Sequence, residues 1–312
     1  MGKINTLIYM IKHKPSEIKV AIADNITAMK CARIIPDRAY IKMQYYLRMD
    51  KKLDFNEPKT FNEKLQWLKL YDRENDNSKY VDKYLVREYV ARTIGEEYLI
   101  PLLGVWDDAS EIDFDTLPDQ FVLKCTHDSN SVIICTDKKS FDRKSAHEKL
   151  KKKLRTNFYY YAREWPYKNI KPRIICEAFM EDKETAELRD YKFFCFDGVP
   201  KAMFIATDRQ NEEKDTAFDF YDIEGHHMNV KQGHPNADSV PELPKNFVLM
   251  KQLAERLSSG FPHVRIDFYE INGKVFFGEI TFFHFSGLMR FIPDDIDYVF
   301  GDWLTLPDKK VR

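Results

Sequence analysis

The sequence predicts an α+β fold in which antiparallel strands follow a mostly helical N-terminal part. Three observations lead to this prediction: helical periodicity in the first hundred residues, short apolar runs of strand length after them, and tight Asp-Gly and Asn-Gly turns between neighbouring runs. Strands joined by such turns are antiparallel neighbours. The order of elements therefore favours α+β with antiparallel sheets over a doubly wound parallel sheet.

Helix signals are clearest in two segments of the N-terminal part. Lys59 to Leu68 contains a capping box, with Thr60 as the cap and Glu63 three residues later, and apolar side chains follow at helical spacing. A second helix is predicted over Lys79 to Thr93, because its apolar residues share one face and Gly95 follows as a stop signal.

After Leu117, short apolar runs bounded by polar turns replace the helical pattern. Two turn sequences, Asp197-Gly198 and Asn272-Gly273, predict hairpins because both central residues of such a turn need positive φ. The elements predicted in this part are strands over Phe121 to Cys125, Val132 to Thr136, Arg173 to Met180, Tyr191 to Phe196, Ala202 to Ala206, Phe218 to Tyr221, Val264 to Ile271 and Val275 to Thr281, helices over Ser140 to Arg155 (capped by Ser140) and Phe247 to Ser258, and loops over Asp208 to Asp215 and His226 to Pro244.

Composition excludes several classes of protein. Of the 312 residues, 44% are hydrophobic and 14% aromatic, which is enough for a packed interior. Lys plus Arg number 49 against 50 Asp plus Glu, so no general attraction to nucleic acid is expected. The five cysteines are odd in number and none forms a CxxC pair, which argues against a disulfide framework or a zinc site. Four of them lie in apolar runs of strand length, which favours buried, reduced thiols in a cytoplasmic protein: Cys125, Cys135, Cys176 and Cys195.

No apolar run approaches the ~18 residues that a membrane-spanning helix needs. The segment Met1 to Lys14 has a short apolar core among lysines, which predicts either an ordinary amphipathic first helix or a basic helix lying on a membrane surface. It is too short for the apolar region of a signal peptide, and no small-residue cleavage site follows it. The prediction is therefore a cytoplasmic protein, with a peripheral contact at the inner face of the membrane left open.

The C-terminal hairpin carries a concentration of charged side chains. Arg265 and Asp267 share a face of one strand, and Glu279 and Thr281 share a face of the other. The turn between them brings both carboxylates together, and two carboxylates are what Mg²⁺ carrying nucleotide phosphates usually takes from a protein. An exposed face on which Asp267 pairs with Arg265 is the alternative, and spacing alone does not decide between the two.

An upstream strand–loop–strand unit has the composition of a phosphate site. Lys124 lies at the end of an apolar strand, and a loop of small polar residues that includes Ser129 and Ser131 follows it. A lysine there can hold phosphate as a point charge, and backbone N–H groups of the loop can cover the phosphates. The loop lacks glycine, and a solvated Lys124 is the alternative.

Several sequence blocks stand in a fixed order along the chain: Pro58 to Trp67, Asp82-Lys83, Phe121 to Lys124 with His127, Ile174 to Phe179, Asp190 to Gly198, Arg265 to Tyr269 and Gly278 to Phe282. Together these blocks resemble the ATP-grasp superfamily in its D-alanine–D-alanine ligase style. They resemble more specifically the TupA-like ATP-grasp proteins of teichuronopeptide biosynthesis, which occur with bacterial surface-polysaccharide genes. The resemblance runs from Leu53 to Leu304.

The resemblance implies an ATP-grasp fold, in which two α+β subdomains clasp ATP, here preceded by a helical N-terminal region. It suggests a helical extension over residues 1–54, a mostly helical substrate-side region over 55–118, a small ATP-grasp subdomain over 119–180, and a C-terminal subdomain with the Mg²⁺ site over 181–312. A homodimer is the oligomeric state that related ligases suggest.

The resemblance also implies roles for individual residues. Thr281 stands where many relatives carry an Asn metal ligand, which leaves a second Mg²⁺ open. Lys192 faces either the nucleotide or solvent. The implied roles are ATP-phosphate contacts for Lys83 and Lys124 with the Ser129 and Ser131 loop, the adenine hinge for Glu177 and Phe179, ribose for Asp190, nucleotide for Lys192, Mg²⁺ for Asp267 and Glu279, and catalysis for Arg265 and Lys124.

The implied reaction is ATP-dependent ligation of a carboxylate to an amine through an acyl phosphate. By resemblance, the carboxylate belongs to a hexuronic acid of a bacterial surface polysaccharide or its precursor. Two alternatives remain: a glycosyltransferase, for which Asp113-Phe114-Asp115 has the letters of a DxD motif, and a nucleotide-binding scaffold without activity.

Overall fold

The protein is described here by a computed structural model covering residues 15–73, 77–129, 131–183, 187–209 and 214–308. Within these ranges the chain forms a four-stranded sheet, a six-stranded sheet and a two-stranded ribbon, and all paired strands are antiparallel. The predicted α+β class with antiparallel sheets is therefore confirmed. The segment Met1 to Lys14 lies outside the described residues.

Helices dominate the N-terminal part and flank the sheets. None of those described has the length and apolar character that crossing a bilayer requires. The α-helices are α1 (Pro15–Ala28), α2 (Asp37–Met49), α3 (Phe61–Tyr71), α4 (Ser78–Val81), α5 (Val86–Thr93), α6 (Arg143–Leu154), α7 (Tyr159–Ala162), α8 (Phe247–Ser258) and α9 (Asp295–Trp303), and 3₁₀ turns lie at Lys30–Ile34, Glu96–Tyr98, Ala109–Glu111, Trp165–Tyr167 and His284–Gly287.

Twelve strands are present in the described part of the chain. They are β1 (Leu102–Trp106), β2 (Phe121–Cys125), β3 (Ile133–Cys135), β4 (Ile174–Ala178), β5 (Asp190–Phe196), β6 (Val199–Thr207), β7 (Ala217–Asp222), β8 (His227–Met228), β9 (Lys231–Gln232), β10 (His263–Ile271), β11 (Lys274–Thr281) and β12 (Phe291–Ile292). The small sheet has the order β1–β4–β2–β3, and the large sheet has the order β11–β10–β5–β6–β7–β8.

The small sheet includes one strand that the sequence did not reveal. Strand β1 pairs with β4, although its sequence lies within the region 55–118 predicted as mostly helical. Buried residues just after it, among them Ile112 and Leu117, pack with the same sheet. The expected boundary at residue 119 therefore falls inside this packed unit. The buried apolar residues of the small sheet form a cluster separate from the larger one around the six-stranded sheet.

The two predicted hairpin turns are present in the large sheet. Asp197 and Gly198 have φ of 47° and 80° between β5 and β6, and Asn272 and Gly273 have φ of 51° and 75° between β10 and β11. Asp-Gly and Asn-Gly are favoured in such turns because Asp, Asn and Gly adopt positive φ more readily than other residues. The turn at Asn272 fixes the register of β10 against β11.

The predicted helix over Lys79 to Thr93 is interrupted, and the prediction of one continuous helix is wrong. The Oδ1 atom of Asp82 accepts hydrogen bonds from the backbone N–H groups of Tyr84 and Leu85 at 2.8 and 3.1 Å. This side-chain acceptor competes with the helical hydrogen bonds and ends α4 at Val81. The break turns Lys83 toward the region between the two sheets, where its backbone N–H donates to the carbonyl of Thr126 at 3.1 Å.

Two further boundaries differ from the predictions. Helix α6 begins at Arg143 and is capped by Asp142, whose Oδ1 accepts from the N–H of Ser145, so Ser140 is not the cap. The region His226 to Pro244, predicted as a loop, contains the two short strands β8 and β9. Strands of two residues carry too little periodicity to be recognised in a sequence.

Helix α3 is tied to the C-terminal helix α9. Its predicted capping box is present, because the Thr60 side chain accepts from the N–H of Glu63 while the Glu63 carboxylate accepts from the N–H of Thr60. Gly301 of α9 allows the close approach: a Cβ atom there would lie 2.3 Å from the carbonyl oxygen of Lys59 and 2.9 Å from the nitrogen of Phe61.

The substitution Gly301→Ala is expected to destabilise the protein by about 1–3 kcal/mol, because the methyl group would overlap backbone atoms. Helix propensity alone predicts that the substitution raises the free energy of unfolding by about 1 kcal/mol. Urea unfolding of the variant measures the difference. Asp302→Ala, at the exposed neighbouring position, is the control and is expected to stay within about 0.5 kcal/mol of the parent. An unchanged or raised stability in Gly301→Ala would contradict the packing described here.

Candidate functional site

A cleft of about 360 Å³ lies between the two sheets and is lined by both. This volume is in the range of small-molecule sites. Of the residues predicted as functional, Lys83, Lys124, Ser129, Glu177, Phe179, Asp190, Lys192 and Glu279 line it. Apolar walls are contributed by Ile100, Val122, Leu188, Phe277 and Ile280.

Two lysines line the cleft from the side of the small sheet. The Nζ atom of Lys83 donates to the backbone carbonyl of Asp128, and burial lowers the pKa of this lysine. The Nζ atom of Lys124 contacts Oε2 of Glu177 at 2.6 Å, and Nη1 of Arg87 contacts Oε1 of the same carboxylate at 3.2 Å. Both carboxylate oxygens of Glu177 are thus occupied by cations.

The two serines of the predicted phosphate loop are placed differently. Ser129 lines the cleft, whereas Ser131 is buried away from it. The Ser131 hydroxyl accepts from the N–H of Cys125 at 2.7 Å and donates to Oδ1 of Asp128 at 2.5 Å. The first contact joins the two ends of the loop, and the second ties Asp128 in its middle to the same serine.

A row of charged side chains crosses the large sheet beside the cleft. The registers of the three strands place Lys192 on β5, Asp267 on β10 and Glu279 on β11 side by side. The Nζ atom of Lys192 contacts Oδ2 of Asp267, and it contacts Oδ1 of Asp190 at 2.9 Å. Asp190 also pairs with Arg209. The lysine therefore faces the carboxylates of the cleft and not bulk solvent.

A bulge in β11 sets the position of Glu279. Asp267 pairs with Glu279 but Phe268 pairs with Phe277, so Gly278 is the extra residue. A Cβ atom at Gly278 would lie 3.0 Å from the carbonyl oxygen of Asp267, closer than most side chains tolerate. Bulges of this kind redirect a side chain at the edge of a sheet.

Arg265 and Asp267 form a buried, two-point ion pair. The Nε and Nη2 atoms of Arg265 contact Oδ1 and Oδ2 of Asp267, each at 2.7 Å, and Nη2 also contacts Oε1 of Glu279 at 3.0 Å and Oγ1 of Thr281 at 3.1 Å. Burial alone would raise the pKa of Asp267, but Arg265 and Lys192 outweigh it and lower the pKa to about 2. Asp267 is therefore ionised at neutral pH despite being fully buried.

The carboxylates differ in how freely they could reach a metal ion. Both oxygens of Asp267 are engaged by cations, whereas the contacts of Glu279 are made through Oε1 and its side chain is 41% exposed. No group of three or more His, Cys, Asp or Glu side chains in the described ranges is arranged to hold a metal by itself. This donor set suits Mg²⁺, which commonly takes one or two carboxylates and completes its shell with phosphates and water.

His284, which contacts Arg265, was not among the residues predicted as functional. The Nη1 atom of Arg265 lies 2.6 Å from Nδ1 of His284, and Nε2 of His284 lies 2.8 Å from Oε1 of Gln232. No spacing signal in the sequence marks this histidine, because its partners lie 19 and 52 residues away along the chain.

A second buried polar cluster also escaped prediction. The Nζ atom of Lys69 contacts Oε1 of Gln66 at 2.9 Å and the carbonyl of Ser286 at 2.7 Å, and the Ser286 hydroxyl donates to Oε1 of Glu164 at 2.5 Å. Burial lowers the pKa of Lys69 to about 8 and raises that of Glu164. Asn62, Gln66 and Lys69 lie on one face of α3, and this periodicity was the available signal.

Taken together, the cleft combines three lysines, apolar walls, and a buried arginine–carboxylate pair that contacts Glu279 at the cleft. Several cations in one cleft favour a polyanionic group such as a chain of phosphates. The apolar walls suit a flat, uncharged ring. The geometry can therefore bind a nucleotide and neutralise charge that develops during phosphoryl transfer.

One comparison with known proteins identifies a family. The model of the family described as TupA-like ATPgrasp matches residues 63–305 of this chain. The search of curated proteins finds no match.

Three solved structures illustrate the structural similarity. D-alanine–D-alanine ligase from Bacillus anthracis complexed with ATP is 13% identical, with a TM-score of 0.38 over 66% of this chain and 54% of that one. The ATP-grasp ligase PsnB complexed with minimal precursor is 9% identical, with a TM-score of 0.40 over 72% and 60%. N5-carboxyaminoimidazole synthase from Aspergillus clavatus, in complex with ADP and 5-aminoimidazole ribonucleotide, is 11% identical, with a TM-score of 0.38 over 68% and 46%. The chain thus spans 46% to 60% of the length of these proteins.

The ionised state of Asp267 predicts a pH-dependent contribution to stability. Because its folded-state pKa is lowered from 3.8 to about 2, the carboxylate stabilises the fold above pH 4, and this stabilisation is lost as the pH falls toward 2. The difference in unfolding free energy between the parent and Asp267→Asn should therefore shrink by about 1 kcal/mol between pH 5 and pH 3. Urea unfolding at both pH values measures it, and a difference that stays constant or grows would contradict the assignment.

Proposed function

Because the chain belongs to the TupA-like ATP-grasp family, we propose that it is an ATP-dependent carboxylate–amine ligase that forms an amide through an acyl phosphate. Family membership confirms the predicted ATP-grasp fold, and ATP-grasp enzymes bind ATP and Mg²⁺. The observation that carries the proposal is the row of Lys192, Asp267 and Glu279 across the large sheet, with Arg265 behind it. Lys192 and Glu279 line the same cleft as Lys83 and Lys124, and Asp267 lies fully buried between them.

The nucleotide would lie with its phosphates against the three lysines. Lys83, Lys124 and Lys192 line the cleft, and Ser129 borders it from the loop after β2. The adenine would lie between apolar walls near Phe179, where the chain leaves β4. Glu177 binds Lys124 and Arg87, so it would hold the phosphate-binding lysine in place and would leave reading of the base to backbone groups of this segment.

Glu279 and Asp267 would hold Mg²⁺ together with the nucleotide phosphates. The ion, when bound, neutralises phosphate charge and polarises the γ-phosphoryl group. Both oxygens of Asp267 are engaged by Arg265 and Lys192, so Glu279 is the more accessible ligand. Release of Asp267 from Lys192 would free the ammonium group of that lysine for phosphate.

The reaction has two steps. An oxygen of the substrate carboxylate attacks the γ-phosphorus, the bond to the β-γ bridging oxygen breaks, and ADP leaves with that electron pair. The amine nitrogen then attacks the acyl carbon, loses a proton, and displaces inorganic phosphate to leave the amide. Arg265 would stabilise negative charge in both steps, and the lysines would keep the phosphates in line.

The resemblance to proteins of surface-polysaccharide pathways supports a hexuronic acid of a bacterial glycan, or its precursor, as the carboxylate substrate. An amino acid or amino alcohol would supply the amine. A homodimer and peripheral membrane contact through the N-terminal segment belong to the same proposal.

The deciding experiment measures ADP release by the purified protein with Mg-ATP, screened against uronic acids combined with a mixture of amines. Release that requires both an acid and an amine supports a ligase. Release of UDP from a sugar nucleotide without ATP would support a glycosyltransferase instead. Tight ATP binding with no ADP formed would favour a non-catalytic scaffold.

Asp267→Asn and Glu279→Gln are expected to lower turnover at least about 100-fold while the protein stays folded, because each removes a charge that balances the phosphates and their metal ion. Circular dichroism and ADP release measure folding and turnover. Glu270→Gln is the matched control, since Glu270 lies on the same strand as Asp267 but binds Asn246 outside the cleft. ATP consumption at the parental rate in either cleft variant would exclude the metal assignment.

A further inference from the structure

We infer that His284 is a positioning residue that orients Arg265 by accepting a hydrogen bond at Nδ1, with the ring fixed as the neutral Nε2–H tautomer. The inference rests on the proposed function for the catalytic role of Arg265. The contact itself, and the chemistry that requires this tautomer, do not depend on which reaction the cleft performs.

The hydrogen-bond chemistry of arginine fixes the state of the histidine ring. A guanidinium group has five N–H donors and no acceptor, so Nδ1 of His284, 2.6 Å from Nη1 of Arg265, must be the acceptor. The ring proton then lies on Nε2, which donates to Oε1 of Gln232 at 2.8 Å. Burial, and the charges of Arg265 and Lys192, lower the pKa of His284 well below its usual range, which agrees with a neutral ring.

This contact restrains the one nitrogen of Arg265 that Asp267 leaves free. Nε and Nη2 bind Asp267, and Nη2 also contacts Glu279 and Thr281. The contact with His284 therefore restrains the guanidinium at Nη1, on the side away from Asp267. One N–H of Nη1 is used in this contact, so within the described ranges one of the five donors has no partner and is left for an oxyanion or a transferring phosphoryl group.

The histidine is itself held by structure outside the cleft. The Nε2 atom of Gln232 donates to the carbonyl of Met289 at 3.1 Å, and Nδ2 of Asn62 donates to the same carbonyl at 3.1 Å. The Nε2 atom of Gln66 donates to the carbonyls of Ser286 and Gly287 at 2.9 and 2.7 Å. The polar face of α3 thus clamps the segment that follows His284.

Backbone conformation in this segment also indicates restraint. Phe285 and Ser286, directly after His284, both have positive φ, 45° and 56°, a conformation that costs non-glycine residues free energy and persists only where the surroundings enforce it. The hydrogen bonds from α3 hold the segment in this conformation. The sequence block around Asn62 and Gln66, which contributes no side chain to the cleft, therefore acts on the site through His284.

The test uses substitutions that distinguish the role of Nδ1 of His284 from the role of Nε2. Asparagine at position 284 can place its Oδ1 near the position of Nδ1, whereas glutamine reaches the position of Nε2 and leaves Arg265 without its acceptor. We expect His284→Asn to retain most activity and His284→Gln and His284→Leu to lower kcat about 10- to 100-fold, with the KM for ATP nearly unchanged. His263→Gln is the control, because His263 is equally buried and contacts the carbonyl of Cys195 and not Arg265.

Any ADP-forming turnover, including ATP hydrolysis without an amine, serves for this comparison. Equal losses in His284→Asn and His284→Gln, or an unchanged kcat in His284→Leu, would indicate a packing role and overturn the inference. If no substrate pair supports amide formation, the ligase proposal fails, whereas the order of the position-284 variants still tests the role of His284.

A measurement on the resting protein needs no turnover. Long-range ¹H–¹⁵N spectra of the full chain with ¹⁵N-labelled histidine, assigned by comparison with His284→Asn, should show the Nε2–H tautomer at neutral pH. An Nδ1–H tautomer or a protonated ring would contradict the contact with Arg265 and overturn the inference even if the protein is inactive.

Discussion

The buried ion pair between Arg265 and Asp267 is the constraint on which the rest of the cleft depends. Taking a carboxylate fully out of water is costly unless cations and hydrogen bonds compensate for the lost solvation. Asp267 meets this requirement with two contacts from Arg265 and one from Lys192. The charged row on the large sheet must therefore be assembled as a unit, and the registers of three strands, the bulge at Gly278 and the clamp from α3 all serve to place it.

The sequence predicted the parts of the fold that local chemistry determines. The two hairpins were predictable because Asp197-Gly198 and Asn272-Gly273 supply positive φ where a two-residue turn needs it. Strand β1 was not, because its five residues lack a clear alternation and its partner, β4, is distant along the chain. The break at Asp82 was missed because a single side-chain acceptor there competes with the helical pattern of its neighbours.

The same division applies to the candidate site. Charged residues on the C-terminal hairpin stood out because residues two apart on a strand, such as Arg265 and Asp267, share a face. Lys124 stood out because it ends an apolar strand before a polar loop, and family resemblance drew attention to Lys83. Ser131 has the same local character as Ser129, but only three-dimensional packing distinguishes the buried hydroxyl from the one at the cleft. His284 and Glu164 acquire their importance entirely from contacts with distant segments, which local patterns in a single sequence do not encode.

The division of the buried apolar residues into two clusters has a consequence for cooperativity. Each sheet has a core of its own, so we expect the small sheet to open as a separate unit at a lower free energy than global unfolding. A molecule bound in the cleft would contact both units and would be lost if either opened. The binding free energy would then raise the free energy of opening of both units. Two units that unfold almost independently without the ligand would unfold together with it.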